Sequence, residues 1–224
     1  FFFSKYLIFC KEVIKDSQKY VPEFLEDIIQ KNLNCVHYIK TPTYQLPLFN
    51  GAFSLSLNQI KKYLEDFKPD NKNSNLGGLY KIKYKNHFLI MDTDKPPKKD
   101  FSKSYQSGPL SFEYFIDGIK IITNSGFGLH ISKKAEFLSR LTACQSTLNI
   151  NETSVTKFEK NEIVNKVFGN SIQNSFKSFD FSVINKNDLI GCSASNNGYE
   201  KNFGCTHKRE ICVDKENNYL KGTD

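Results

Sequence analysis

Two hydrophobic periods divide the chain. Residues 1–68 follow the helical one: Leu57, Ile60, Leu64 and Phe67 lie three to four apart behind a Ser56–Gln59 capping box. In VPEFLEDIIQKNL, Pro22 opens the run and Glu23, Glu26 and Asp27 follow, where the positive end of a helix dipole favours them. Between these helices TPTYQLPLFNGAF is a loop, punctuated by Pro42, Pro47 and Gly51. KPDNKNSNLGG, at 68–78, is polar and rich in breakers, and after it the period becomes two.

Tyr80, Ile82 and Tyr84 then alternate with Lys81, Lys83 and Lys85, and FLIMDTD returns after a turn at Asn86. In YQSGPLSFEYFIDGIKIITNSGFG, Leu110, Phe112, Tyr114 and Ile116 face one way, Asp117-Gly118 makes the turn, and IKIIT comes back. Residues 132–142 read as a short helix or an ordered loop, and STLNINET and FDFSVI as later strands. NFGCTHKREICVD reads as one long strand with Phe203, Cys205, His207, Arg209, Ile211 and Val213 on a single face. A histidine and an arginine on a buried face need partners or a polar cavity. Bonding across the sheet and membership of a site are both open at this point. His87 falls in a turn and reads as solvent-exposed.

With 224 residues the chain can form one medium domain, or one domain and part of another. Its net charge of +7 comes almost wholly from lysine, with arginine only at Arg140 and Arg209. Base and phosphate recognition relies on the arginine fork, so the charge reads as solvated lysine and nucleic acid is not an expected partner. No apolar run reaches the roughly 18 residues of a membrane span. The six cysteines form no CxxC pair and match no zinc spacing. No Walker A loop, Gly-x-Ser-x-Gly elbow or His-Glu-x-x-His pair occurs. The chain opens on FFFSKYLIFC without methionine and stops at YLKGTD, and the expectation is a fragment of a longer protein.

Four stretches carry a family resemblance. PLFNGAF (47–53), GPLSFEYFIDGIKIITNSG (108–126), LTACQSTLNINETS (141–154) and NNGYEKNFGCTHKREI (196–211) resemble, in order and spacing, the C-terminal half of heparinase II/III-like proteins. The resemblance implies a mainly β, multidomain fold: the last helices of an incomplete α/α toroid, followed by an antiparallel β-sandwich. Residues 1–68 would end the toroid, 69–78 link, and 79–224 form a truncated sandwich.

It also implies a polysaccharide lyase, removing the proton alpha to a uronate carboxylate and expelling the 4-linked oxygen by β-elimination. The toroid tyrosine and its histidine or asparagine would lie outside this chain, so the chain alone is expected to be inactive. The alternative is a non-catalytic carbohydrate-binding or cell-envelope structural protein. Where the family has a His before GxLSFE, an Asp or Asn ending the return strand, and a His opening His-Ser-Thr-Leu, this chain has Gln106, Asn124 and Gln145. Some members bind a structural metal there; amides are poor zinc ligands, so no metal and no cofactor is expected.

These three amides either orient a sugar carboxylate or hold the hairpin to its neighbours. With Arg209 they are the expected substrate-binding residues, and Tyr199 and His207 the candidate catalytic ones. The implied partner is an acidic polysaccharide or oligosaccharide, and the implied location the cell envelope or periplasm.

Overall fold

The structure, a computed structural model, describes residues 1–69 and 75–224. Half of the expected linker, residues 70–74, lies outside the described residues. Three layers stack on one another: helices, a five-stranded sheet and a four-stranded sheet.

Helices α1 (Phe2–Asp16), α2 (Glu23–Ile39) and α3 (Lys61–Asp66) make the first layer. Pro22 is extended at the N-cap of α2, and Glu23 and Glu26 occupy its first turn. Leu25, Ile29, Leu33 and Val36 form one stripe of that helix, packed on Leu7 and Ile8 of α1 and on Leu57, Ile60 and Leu64. A Lys11–Glu26 ion pair at 2.7 Å and a Tyr63–Glu12 hydrogen bond at 2.8 Å fasten the edges of this cluster. The expected capping box does not form. Ser56 Oγ accepts from Asn58 N, two residues on, and a 3₁₀ turn at Asn58–Ile60 leads into α3.

The first sheet is an antiparallel meander in chain order: β1 (Asn75–Leu76), β2 (Leu79–Tyr84), β3 (His87–Asp92), β4 (Phe112–Ile116) and β5 (Ile119–Ile122). Asp117 and Gly118 turn β4 into β5 with φ of 52° and 77°, the left-handed pair that matches strand twist. Helices α4 (Lys133–Leu138) and α5 (Glu162–Phe168) precede the second sheet. That sheet comprises β6 (Ser178–Asn185), β7 (Leu189–Asn196), β8 (His207–Asp214) and β9 (Tyr219–Thr223), also in order, with α6 (Glu200–Phe203) between β7 and β8.

The sheets meet face to face through Ile82, Leu89, Met91, Leu110 and Tyr114 on one side and Cys192, Ala194 and Ile211 on the other. The opposite face of the first sheet packs Phe88, Ile90 and Phe115 against Phe49, with Ile39 at the end of α2 alongside. All six residues of β3 are therefore buried. A strand covered on both faces has no reason to alternate, which is why its sequence reads as an unbroken apolar run.

Three further local expectations fail. STLNINET is not a strand: Ile150 and Thr153 merely bridge, and Asn151 and Glu152 turn the chain with φ of 48° and 53°. The last long strand begins only at His207, because Phe203 ends α6 and Gly204 follows in the left-handed conformation, φ 68°. His87 is buried, not exposed. Its Nε2–H donates to Asn218 Oδ1 at 3.1 Å, and its Nδ1 accepts from the Tyr114 hydroxyl at 2.5 Å.

Candidate functional site

The hairpin β4–β5 is held at its open end by the three amides. Gln106 is buried, and its side chain is fully committed: Oε1 accepts from Gly51 N at 3.0 Å, while Nε2 donates to Gly126 O and Ser139 O, each at 3.0 Å. Gln145 Nε2 donates to the same Ser139 carbonyl at 2.7 Å. Asn124 Oδ1 accepts from Ser146 N and Ser146 Oγ at 2.9 and 3.0 Å. The three residues are thus brought together, two on one carbonyl and the third on the residue after Gln145. A metal ion would require lone pairs here, whereas both glutamines turn N–H groups to their shared point, so this donor set does not suit one. Among the described residues no group of three or more His, Cys, Asp or Glu could hold an ion.

Behind the collar lies a residue that sequence reasoning passed over. Arg140 is fully buried, donates to Tyr105 O at 2.9 Å and Ser102 O at 2.8 Å, and lies 4.0 Å from the centre of the Phe158 ring. Burial lowers its pKa to about 10, with Glu136 opposing the shift. The scarcity of arginine was the available signal, since both arginines of the chain are structural clamps.

Arg209 is the second clamp. Its Nε and Nη2 grip both carboxylate oxygens of Asp224 at 2.7 Å, and Nη1 donates to Leu110 O at 2.8 Å and Ser146 O at 2.7 Å. His207, two residues earlier on β8, donates from Nε2 to Asp224 Oδ1 at 2.8 Å. Its other nitrogen is also engaged. Asn196 Oδ1 accepts from Gly198 N, which turns the Asn196 amide N–H toward His207 Nδ1 at 3.2 Å. Burial works to raise the Asp224 pKa, but the bonds from His207 and Arg209 and their charges outweigh it and hold the carboxyl well below its ordinary range. With both nitrogens bonded, His207 has no free lone pair to act as a base in this arrangement.

Tyr199 does not face a cleft either. It is fully buried, and its hydroxyl donates to Leu148 O at 2.9 Å and Thr153 O at 3.2 Å. Its pKa is raised, chiefly by burial. It ties down the 148–153 turn that the sequence pattern suggested was a strand.

What these networks position is a cavity of about 320 Å³ at the end of β3, lined among others by Asn50, Asp92, Asp94, Lys95 and Tyr105. Asn50 precedes Gly51, whose N–H is held by Gln106, and Tyr105 precedes Gln106 itself. At the cavity Asn50 Nδ2 donates to Asp92 Oδ2 at 3.1 Å, and Asp94 N donates to Asp92 Oδ1 at 3.2 Å. Burial raises the Asp92 pKa to about 6 against these two hydrogen bonds, and Asp94 adds repulsion. Burial, and then the charge of Asp92, push Tyr105 well above the usual phenol range. Asp92 can therefore gain or lose a proton near neutrality while Tyr105 stays protonated. Asn50 stood in one of the resembling stretches, and Asp92 ends an apolar strand. A carboxylate directly after a buried run was the missed signal.

Comparisons with known proteins agree with this architecture. Heparan sulfate lyase HepC from Pedobacter heparinus superposes with a TM-score of 0.59 at 16% identity, covering 87% of this chain and 31% of the lyase. A heparinase III gene product gives 0.62 at 14% identity, covering 89% and 32%. At such identities the likeness is one of fold, and the chain spans about a third of the length of these structures. No curated protein sequence matches it. The family model described as heparinase II/III-like, C-terminal, matches residues 68–224, and the chain belongs to that family of polysaccharide lyase fold.

Proposed function

We propose that the chain is the sandwich side of a polysaccharide lyase that acts by β-elimination on a uronate-containing polysaccharide, with residues 1–68 as the last helices of an α/α toroid. The observation that carries this reading is the cavity at the end of β3, fixed by Gln106 and lined by Asn50, Asp92 and Tyr105. A carboxyl kept largely neutral below pH 6 can donate a hydrogen bond to a uronate that an ionised one would repel. The names of the superposing structures, a heparan sulfate lyase and a heparinase III, support an acidic polysaccharide as substrate.

The toroid assignment draws on α1. Phe2, Tyr6, Phe9 and Val13 recur at helical spacing and are all exposed, 46–65% of their surface lying open. An apolar stripe of that length on a helix is a packing face, as successive helices of a toroid would use. The collar in this reading is metal-free and positions the loop around Asn50. A polymeric acidic substrate is consistent with action in the cell envelope or periplasm.

The bonding of His207 favours a second reading, a carbohydrate-binding protein that kept the fold without the chemistry. Ultraviolet absorbance of unsaturated product, followed on uronate polysaccharides, decides between them. The reading expects product from the full-length protein and none from residues 1–224. Elimination by this chain alone overturns the assignment of the chemistry to helices outside it. A full-length protein that binds the polymer without cleaving it selects the second reading.

A further inference from the structure

A second, larger cavity of about 640 Å³ opens at the other end of β3, between the end of α2 and the β2–β3 and β4–β5 turns. His87 and Asp92 are the two ends of that strand, so the cavities are roughly 17 Å apart. Its lining gathers Lys40, Lys81, Lys83 and Lys85 with His37, facing Thr41, Tyr44, Asn86 and Asp117. Lys81 and Lys83 come from alternate positions of β2 and share one face of the strand, and Lys85 follows in the β2–β3 turn.

These charges are crowded without counter-ions. Among the described residues none of the four lysines makes an ion pair, and the lining carboxylate, Asp117, accepts from Asn86 Nδ2 at 3.0 Å. Lys81 donates to Tyr38 O at 2.7 Å, and Lys40 lies 4.6 Å from the centre of the Tyr44 ring. Burial first, and then Lys83 and Lys40, push the Lys81 pKa down; burial, Lys40, Lys81 and Lys83 do the same to His37. Like charges gathered around an open cavity are stabilised by an anion that enters it.

We infer that this groove is a binding site for a sulfated or carboxylated oligosaccharide, separate from the cavity at Asp92. The choice of a saccharide rests on the function proposed above and on the lining. Lysines act as point charges toward separate acidic groups, Thr41, Asn86 and Asp117 can bond hydroxyls, and the arginine forks suited to nucleic acid are absent from it. Such a site holds a polymer at a second point along its length and raises its effective concentration at the first.

The test is calorimetric titration of the 224-residue chain with a sulfated dextran oligosaccharide, with its unsulfated parent and with a DNA duplex of equal charge. Replacing Lys40, Lys83 and Lys85 by Gln is expected to weaken sulfated-saccharide binding by about tenfold or more. Replacing the exposed Lys133, Lys134 and Lys208, an equal loss of charge elsewhere, is expected to change it by less than about twofold. Lys83→Glu, at an exposed position, gives a single-site version should the triple variant fold poorly. Equal losses from both triples, or tighter binding of the duplex, overturn the proposal. The readout is binding without turnover, so a missing eliminase activity leaves it standing, and an active eliminase whose groove variants bind normally overturns the groove alone.

Discussion

The two ends of β3 handle polar groups in opposite ways. At the Asp92 end the polar side chains are buried and mostly satisfied: Gln106 makes three bonds, Arg209 four, and His207 uses both ring nitrogens. At the His87 end four lysines surround a cavity without an ion-pair partner among the described residues. A polar group whose bonds are all made within the protein is holding the fold, and its removal is felt in stability. A charge left open beside a cavity costs the fold little to lose, and its removal is felt in binding.

The largest test of that contrast is Arg209→Ala. It strips Leu110 O and Ser146 O of a donor and leaves Asp224 with His207 alone, and equilibrium denaturation is expected to show a loss of about 4 kcal/mol. A loss below 1 kcal/mol would place Arg209 with the open charges. Gln106→Ala removes three hydrogen bonds, leaving Gly51 N without its acceptor, Ser139 O with Gln145 alone and Gly126 O with Ser125 alone, and about 3 kcal/mol is expected by the same measurement. Ligand affinity without a stability change would instead make Gln106 a contact residue.

Asp92 sharpens the comparison through pH. Its folded pKa, about 6, is raised above the ordinary value, so its favourable contribution is complete below pH 4 and is lost as pH rises through 6. Roughly 2 to 3 kcal/mol should disappear across that window. Asp92→Asn is expected to remove the slope, and a parallel profile in the variant would show that Asp92 does not carry it. Asp224 has the opposite sign: its depressed pKa supplies stability above the usual carboxylate pKa of about 4, lost on further acidification. The smallest stability effect is expected at Lys83→Gln, within about 0.5 kcal/mol, and a larger loss would move Lys83 to the structural side of the contrast.

Much of the fold was legible because it is written in periodicity. The alternation over Leu79–Tyr84, the Asp117-Gly118 turn and the helix start at Pro22 with Glu23 and Glu26 in its first turn each follow from local pattern, and the structure agrees. The need of His207 and Arg209 for partners was legible too. Their partner was not, because Asp224 lies on the neighbouring edge of the sheet, 15 residues from Arg209, and no local pattern signals that pairing. STLNINET misled because its residues suit a strand, while Tyr199, distant in sequence, bonds the backbone of a turn there. The lysine groove was hidden by its composition. Surplus lysine looks uniform along a chain until β2 and the end of α2 bring part of it to one place.

The double coverage of β3 bears on what can be moved as a unit. Cutting the chain in the breaker-rich stretch at 68–78 would divide the sequence where it looks most divisible, yet Phe88, Ile90 and Phe115 would lose Phe49 and Ile39. Three large side chains would be opened to water, at about 1.5–3 kcal/mol each if uncovering were complete. The sandwich is consequently not a portable module. An engineer transplanting it, or a lineage recombining it, must carry matching helices with it, since the seam in the sequence runs through the middle of a shared core.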